Sequence, residues 1–74
     1  MSYAYIRGFT LEEVETAIRN SDWTEAEQGR LECRMNLDYR DIWNGTYYDT
    51  KQIRPIFVEE QDEIVVVTVY VYFF

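Results

Sequence analysis

The chain has 74 residues with seven basic and fourteen acidic side chains, so its formal net charge is −7, and it contains one cysteine and no histidine. This length allows a single domain, predicted over residues 1–74, and a lone cysteine excludes an internal disulfide. The lack of histidine excludes Ser-His and Cys-His nucleophilic catalysis and, with only one cysteine, a structural zinc site. The sequence therefore predicts neither a metal nor a cofactor.

A domain of this size needs more than its own core for stability. It buries only about 60% of the surface that its unfolded chain exposes, and small domains compensate with disulfides, metals or association. Since the first two are excluded, we expect a homo-oligomer or a complex with a partner chain. RNA is a less favoured partner, because the net negative charge repels phosphate groups.

The apolar segments do not indicate a membrane protein. Residues 1–8 lack the charged region followed by an apolar run that marks a secretory signal. The longest apolar stretch, residues 64–74, is too short to span a bilayer as a helix and is interrupted by Thr68. We therefore expect a cytoplasmic protein with no membrane partner.

The first predicted element is a helix over residues 11–20. Thr10 is a favourable N-cap, and Glu13 follows three residues later, which is the spacing of a capping box. Four apolar side chains form one stripe at helical spacing: Leu11, Val14, Ala17 and Ile18. The polar residues 20–22 end the helix.

Three strands are predicted after the helix. The first covers residues 30–35, where charged and apolar side chains alternate, and the second covers residues 52–60, where Pro55 indicates a bulge or an edge position. Asn44-Gly45 indicates a tight turn between them, and the third strand, residues 64–73, has the strongest β pattern. The predicted fold is α+β, with one N-terminal helix packed on a three- to four-stranded antiparallel meander.

The last strand is apolar on both faces. Strand alternation places one set of side chains on one face, namely Val65, Val67, Val69, Val71 and Phe73, and the other set on the opposite face, namely Ile64, Val66, Thr68, Tyr70, Tyr72 and Phe74. A ten-residue helix covers only one of these faces. The second face needs another cover, which is the aromatic segment 39–48, residues 3–6, or another molecule. The residues predicted to form an interface are Tyr70, Tyr72, Phe74, Trp43 and Tyr47.

Three segments together resemble the small bacterial domain-of-unknown-function family 4258. They are the stretch from Gly8 to Trp23 (G-F-T-L-E-E-V-E-T-A-I-R-N-S-D-W), the strand around Gly29-Arg30, and the ending P-I-F-V-E-E-Q-D-E-I-V-V-V-T-V-Y-V-Y. That family is similar in layout to the RelE- and BrnT-type toxins, which are small helix-plus-sheet ribonucleases of toxin–antitoxin pairs. The resemblance implies a RelE-like sheet and an antitoxin-like partner.

The same resemblance implies a histidine-free site for RNA cleavage. In such a site, Arg and Lys stabilise the phosphate and a tyrosine, lysine or carboxylate moves the protons. The candidate residues are Arg30, Arg34, Lys51, Arg54 and Tyr48. The alternative is structural: the arginines form cross-strand ion pairs around Glu32, the tyrosines fill the core or an interface, and Cys33 is an inert buried thiol.

Two classes of function follow. In the first, the protein acts through protein–protein association, with itself or with an antitoxin-like partner. In the second, it is a RelE- or BrnT-type RNA endonuclease. The acidic balance and the lack of histidine favour the first class.

Overall fold

The computed structural model describes residues 8–74 and shows, over that range, one α-helix followed by an antiparallel sheet. This confirms the predicted α+β class. Residues 3–6, one of the predicted covers of the second sheet face, lie outside the described residues.

The helix α1 spans Leu11–Asn20, as predicted. The Thr10 hydroxyl accepts a hydrogen bond from the Glu13 backbone N–H at 3.1 Å, and the Glu13 carboxylate accepts one from the Thr10 N–H at 3.0 Å. This capping box satisfies backbone donors that the first turn leaves without partners. Val14 and Ala17 of the apolar stripe are buried against the sheet.

Over the described residues, the sheet contains five strands: β1 (Thr24–Glu25), β2 (Leu31–Glu32), β3 (Met35–Trp43), β4 (Thr46–Glu60) and β5 (Glu63–Phe73). The strand β4 is central, and all pairings are antiparallel. On one side β4 pairs with β5, and on the other side it pairs with β2 and β3, which follow one another along it. β1 pairs with β2 at the outside of the sheet. The consecutive strands β3, β4 and β5 form the predicted meander.

The prediction of one continuous strand over residues 30–35 is wrong, because β2 ends at Glu32 and β3 begins at Met35. The interruption lies opposite Pro55, whose carbonyl accepts a hydrogen bond from the Cys33 N–H at 3.4 Å. A residue in an extended strand directs its nitrogen and its carbonyl to the same side, so the proline nitrogen also faces Cys33 and offers no hydrogen. Pro55 therefore breaks the ladder from inside the sheet. Of the two predicted alternatives, the edge position is wrong, and a β-bulge does lie beside the proline, between Ile56 and Phe57 in the pairing of β4 with β5.

The turn at Asn44-Gly45 is confirmed. These residues have φ values of 52° and 85°, as the left-handed positions of a two-residue type I′ turn require. The strands on both sides of the turn are longer than predicted, and β4 begins at Thr46 instead of residue 52. Residues 36–43, to which no strand was assigned from the sequence, belong to β3.

The predicted aromatic segment packs around Phe73, which pairs with Lys51 on the helix side of β5, so this cluster does not cover the second face. The Phe73 ring is the centre of this cluster, with ring centroids at 4.9 Å for Trp43, 5.0 Å for Tyr39 and 5.6 Å for Tyr48. Gly8, at φ +82°, passes close to the same cluster, where a Cβ atom would lie 2.9 Å from the Trp43 ring. The backbone conformation and the close approach both require glycine there.

A β-bulge in β5 changes which side chains face the helix. Ile56 of β4 pairs with Thr68, but the next residue, Phe57, pairs with Val66, so Val67 is left without a partner in the register. Opposite residues of antiparallel strands direct their side chains to the same face. Val66 therefore lies on the same face as the fully buried Phe57, which packs under α1.

The predicted division of the last strand into two faces is consequently wrong before the bulge. From Thr68 onward it holds, since Val69 pairs with the buried Pro55 and shares its face. Before the bulge, Ile64 and Val66 turn towards the helix side, and Val65 turns to the opposite side. Local alternation does not predict this reversal, because the extra residue shifts the pleat by one position.

The core lies between α1 and the sheet face that it covers. Its buried members are Phe9, Val14, Ala17, Cys33, Ile53, Phe57 and Val69. The predicted burial of Cys33 is confirmed: its thiol donates to the Ala17 carbonyl with an Sγ–O distance of 3.4 Å, and burial raises the pKa of the thiol. The other side of the sheet, away from α1, is called the open face below.

Candidate association surface

Among the described residues, the outer side of β5 is a free strand edge. Thr50 and Phe74 exchange two backbone hydrogen bonds, at 2.8 and 3.0 Å, so the backbone groups of Phe74 point towards β4. By alternation, Val69, Val71 and Phe73 direct their N–H and C=O groups away from β4. Within residues 8–74, no strand pairs with that side of β5.

Beyond the bulge at Val67, the described part of this edge carries no further device that prevents association. Residues 64–74 contain no charged side chain and no proline. Several of their apolar side chains are exposed, including Tyr70 at 47%, Tyr72 at 40% and Phe74 at 59%. Folded proteins normally protect such an edge with charges, proline or a covering element, because an uncovered edge pairs with another chain. We call the free edge of β5, together with Tyr70, Tyr72 and Phe74, the association surface.

Arg54 holds the two exposed tyrosines of the open face in place. Its Nη1 donates to the Tyr72 hydroxyl at 3.2 Å, and its guanidinium lies 5.3 Å from the centroid of the Tyr70 ring. Its Nη2 donates to a Glu32 oxygen at 2.8 Å, which ties the guanidinium to β2. Side chains that are ordered before binding lose less entropy on binding, so this clamp would lower the entropy cost of a contact made through these two rings.

Glu32 is the negatively charged partner of Arg54 in this clamp. The charge-assisted hydrogen bond from Arg54 holds the pKa of Glu32 below its ordinary value, although burial acts in the opposite direction. The positive charge of Arg34, whose Nη2 lies 3.7 Å from a Glu32 carboxylate oxygen, lowers the pKa further. The same hydrogen bond, together with the Tyr72 hydroxyl, raises the pKa of Arg54, which therefore stays charged. Arg34 is more than half exposed, so its ion pair adds little to stability.

The lowered pKa of Glu32 predicts an acid-sensitive contribution to stability. A carboxylate whose folded pKa lies below its unfolded value stabilises the fold above the unfolded pKa, near 4.5, and loses that contribution as the pH falls. Glu32→Gln should therefore melt below the wild type at neutral pH, and the difference should shrink below about pH 4.5. Thermal melts across this range test it, with Glu60→Gln at the exposed hairpin tip as the control. A constant difference at all pH values would contradict the assignment.

The candidate catalytic residues do not converge on one site. Arg34 and Arg54 both contact Glu32, and Arg30 borders a recess on the same open face. Lys51 lies on the opposite face under α1, and Tyr48 packs against Phe73. The structure thus separates Lys51 and Tyr48 from the arginines.

Lys51 is buried at the junction of helix and sheet. Its Nζ lies 2.9 Å from a Glu13 carboxylate oxygen and donates to the Gly8 carbonyl at 3.1 Å, and it sits 5.7 Å from the centre of the Tyr39 ring. The side chain is 11% exposed. Its contacts attach the start of α1 to β4 and leave little of the ammonium group for a ligand.

The predicted interface residues fall into two places. Tyr70, Tyr72 and Phe74 belong to the association surface. Tyr47 is exposed at 57% near the β3–β4 turn, and Trp43, which is half-buried, stacks on Phe73 at 4.9 Å.

A second apolar feature was not predicted from the sequence. A groove of about 700 Å³ runs between α1 and the start of β5, and its apolar lining consists of Leu11, Val14, Ile18, Trp23, Ile64 and Val66. The Trp23 indole donates to the Ile18 carbonyl at 2.7 Å and packs edge-on against Phe57. The groove depends on the bulge at Val67, for which the run of valines gives no local signal.

Over residues 8–74, no three cysteine, aspartate or glutamate side chains are grouped closely enough to bind a metal ion. None of the helical segments in that range has the length and apolar character of a transmembrane helix. Comparison of the chain with models of known protein families, with curated protein sequences and with solved structures gives no match.

Proposed function

We propose that this protein acts in the cytoplasm by binding another protein chain through the association surface. The observation that carries the proposal is the uncharged segment 64–74, which forms all of β5 after Glu63 and whose outer edge is unpaired in the described part of the chain. Backbone groups on such an edge gain hydrogen bonds when a further strand is added, and the flanking side chains supply apolar contact. The aromatic rings held by Arg54 suit the centre of an interface, where tyrosine is enriched.

The expected bacterial toxin-like layout fits this proposal, since a toxin of that kind is held by a partner chain. The ribonuclease alternative has less support. Lys51, Arg54 and Arg34 each contact a carboxylate, which reduces their attraction for phosphate. An antitoxin-like partner and a second copy of the chain are both compatible with the association surface.

The proposal predicts that the native protein is larger than a monomer and that a charge on the surface disrupts the assembly. Tyr70→Lys places an ammonium group on the open face beside β5, where association would desolvate it, so the mass measured by light scattering should fall to that of the monomer. Tyr70 is half exposed, so the fold should be retained, as circular dichroism would verify.

The matched control is Leu11→Lys. Leu11 is exposed at 62%, but it lies on α1, away from the association surface. This variant should keep the native mass. A wild-type protein that sediments as a clean monomer at high concentration, with no bound chain, would contradict the proposed function.

A further inference from the structure

We propose that the partner at the β5 edge is a second copy of this chain, related by a two-fold axis that pairs β5 antiparallel with its symmetry mate. The inference rests on the proposed function and specifies the partner. Three features of the strand support it: the direction of its free backbone groups, the complementarity between its side chains and those of a second copy, and the position of the acidic residues.

The free backbone groups match a two-fold axis at Val71. The residues whose N–H and C=O groups point outward are Val69, Val71 and Phe73. With the axis at Val71, this residue faces its own symmetry mate, and Val69 faces Phe73 of the second copy. Val71 with its mate, and the two symmetry-related pairs of Val69 with Phe73, are then hydrogen-bonded pairs. Each pair exchanges two backbone hydrogen bonds, so the interface gains about six. The bulge at Val67 lies outside this paired segment.

The side chains in this register are complementary. On the open face, Tyr70 lies opposite Tyr72 of the second copy, and on the helix side Val69 lies opposite Phe73. Aromatic–aromatic and aromatic–β-branched pairs are among the favourable cross-strand combinations. No charged side chain enters the paired segment from either copy, because residues 64–74 carry none.

The acidic residues favour the antiparallel arrangement over the parallel one. The tip of the β4–β5 hairpin carries Glu59, Glu60, Asp62 and Glu63, all exposed. Parallel pairing would place two such tips side by side, about 5 Å apart, with strong repulsion between them. Antiparallel pairing about Val71 separates the tips by roughly 50 Å, which is well beyond the screening length of about 10 Å in salt.

Two other chains could pair with this edge, and the mass and composition of the native protein distinguish them from a second copy. One is the chain's own residues 1–7, which would leave the protein monomeric. Another is a different protein, which would give a complex of two kinds of polypeptide. The light-scattering mass and a denaturing gel of the purified protein separate both from a homodimer.

The decisive experiment is disulfide cross-linking in a Cys33→Ser background, with a single new thiol introduced by Val71→Cys or by Asp62→Cys. Antiparallel pairing places the two copies of position 71 about 5.5 Å apart between Cα atoms, within the range that a disulfide spans. Copper-catalysed air oxidation removes two electrons and two protons from the thiol pair to form the bond. Asp62 is exposed at the hairpin tip, so its variant reports collisional cross-linking.

The expected result is a homodimer in which the Val71→Cys variant cross-links extensively and the Asp62→Cys variant does not. Cross-linking of the Asp62→Cys variant as extensive as that of the Val71→Cys variant would overturn the antiparallel pairing. A homodimer without cross-linking at position 71 would overturn the two-fold pairing about Val71, and a complex with a different polypeptide would overturn the second-copy inference; both results leave the proposed function standing. A monomer of the wild-type protein would overturn both. Circular dichroism of both variants verifies that they are folded.

Discussion

Replacing Val69 with aspartate is expected to lower the free energy of unfolding by about 3–5 kcal/mol, because the carboxylate would be buried without a partner. Val69 is 7% exposed and belongs to the core cluster with Ile53 and Phe57. A domain of this length has a total stability of only about 4–11 kcal/mol, so this loss is a large share of the total. Urea unfolding followed by tryptophan fluorescence measures it.

The matched control is Val67→Asp, two positions earlier on the same strand. Strand alternation alone gives Val67 and Val69 the same face and predicts equal damage. The structure places Val67 in the bulge with 42% exposure, so its replacement should cost less than about 1 kcal/mol. Both variants are compared at a concentration that gives them the same oligomeric mass, since association adds to apparent stability. Equal losses for the two variants would mean that the bulge is absent.

Removing the charge of Glu13 is the second change with a large expected effect. Glu13→Gln keeps an acceptor for the Thr10 N–H, because glutamine also serves in a capping box, but it leaves the buried Lys51 ammonium without its anion. We expect a loss of about 2–3 kcal/mol, less than for a fully buried pair because the Glu13 side chain is 26% exposed. Thermal and urea unfolding measure it.

A double-mutant cycle separates the ion pair from the cap. Lys51→Met keeps most of the side-chain volume and removes the ammonium group, and the combined Glu13→Gln, Lys51→Met variant contains neither charge. The double variant should be more stable than the sum of the two single losses predicts, by about 1–2 kcal/mol. Strict additivity would show that Lys51 and Glu13 do not interact, and would make Lys51 available again as a ligand-binding cation.

One face of the sheet forms the core under a ten-residue helix. In the proposed function, the opposite face and the β5 edge contact another chain. The net charge of −7 keeps the separate chains soluble, and the uncharged segment 64–74 provides a place where two chains can approach without repulsion. In the proposed function, this charge pattern directs association to β5.

The candidate surface was predictable from the sequence only in part. The lack of charge over residues 64–74 and the aromatic side chains Tyr70 and Tyr72 make this strand a candidate interface by composition alone. The groove between α1 and β5 was not predictable, because it depends on Ile64 and Val66 turning towards the helix. Nor did the sequence show that Arg54 holds both tyrosines, since this requires β2, β4 and β5 to be neighbours.

The sequence by itself determines the local elements of this protein. The helix Leu11–Asn20, its capping box, the Asn44-Gly45 turn and the C-terminal strand all depend on side chains within a few positions of one another.

Only the tertiary structure decides the features that depend on pairing between distant segments. Pro55 interrupts a strand some twenty positions earlier in the chain because the two lie side by side in the sheet. The bulge at Val67 reverses the faces of β5 because β4 and β5 have different numbers of residues between the same two pairings. Lys51, charged and placed just before a predicted strand, is buried because α1 brings Glu13 to it. In each case the partner is remote in sequence, and local propensity carries no information about it.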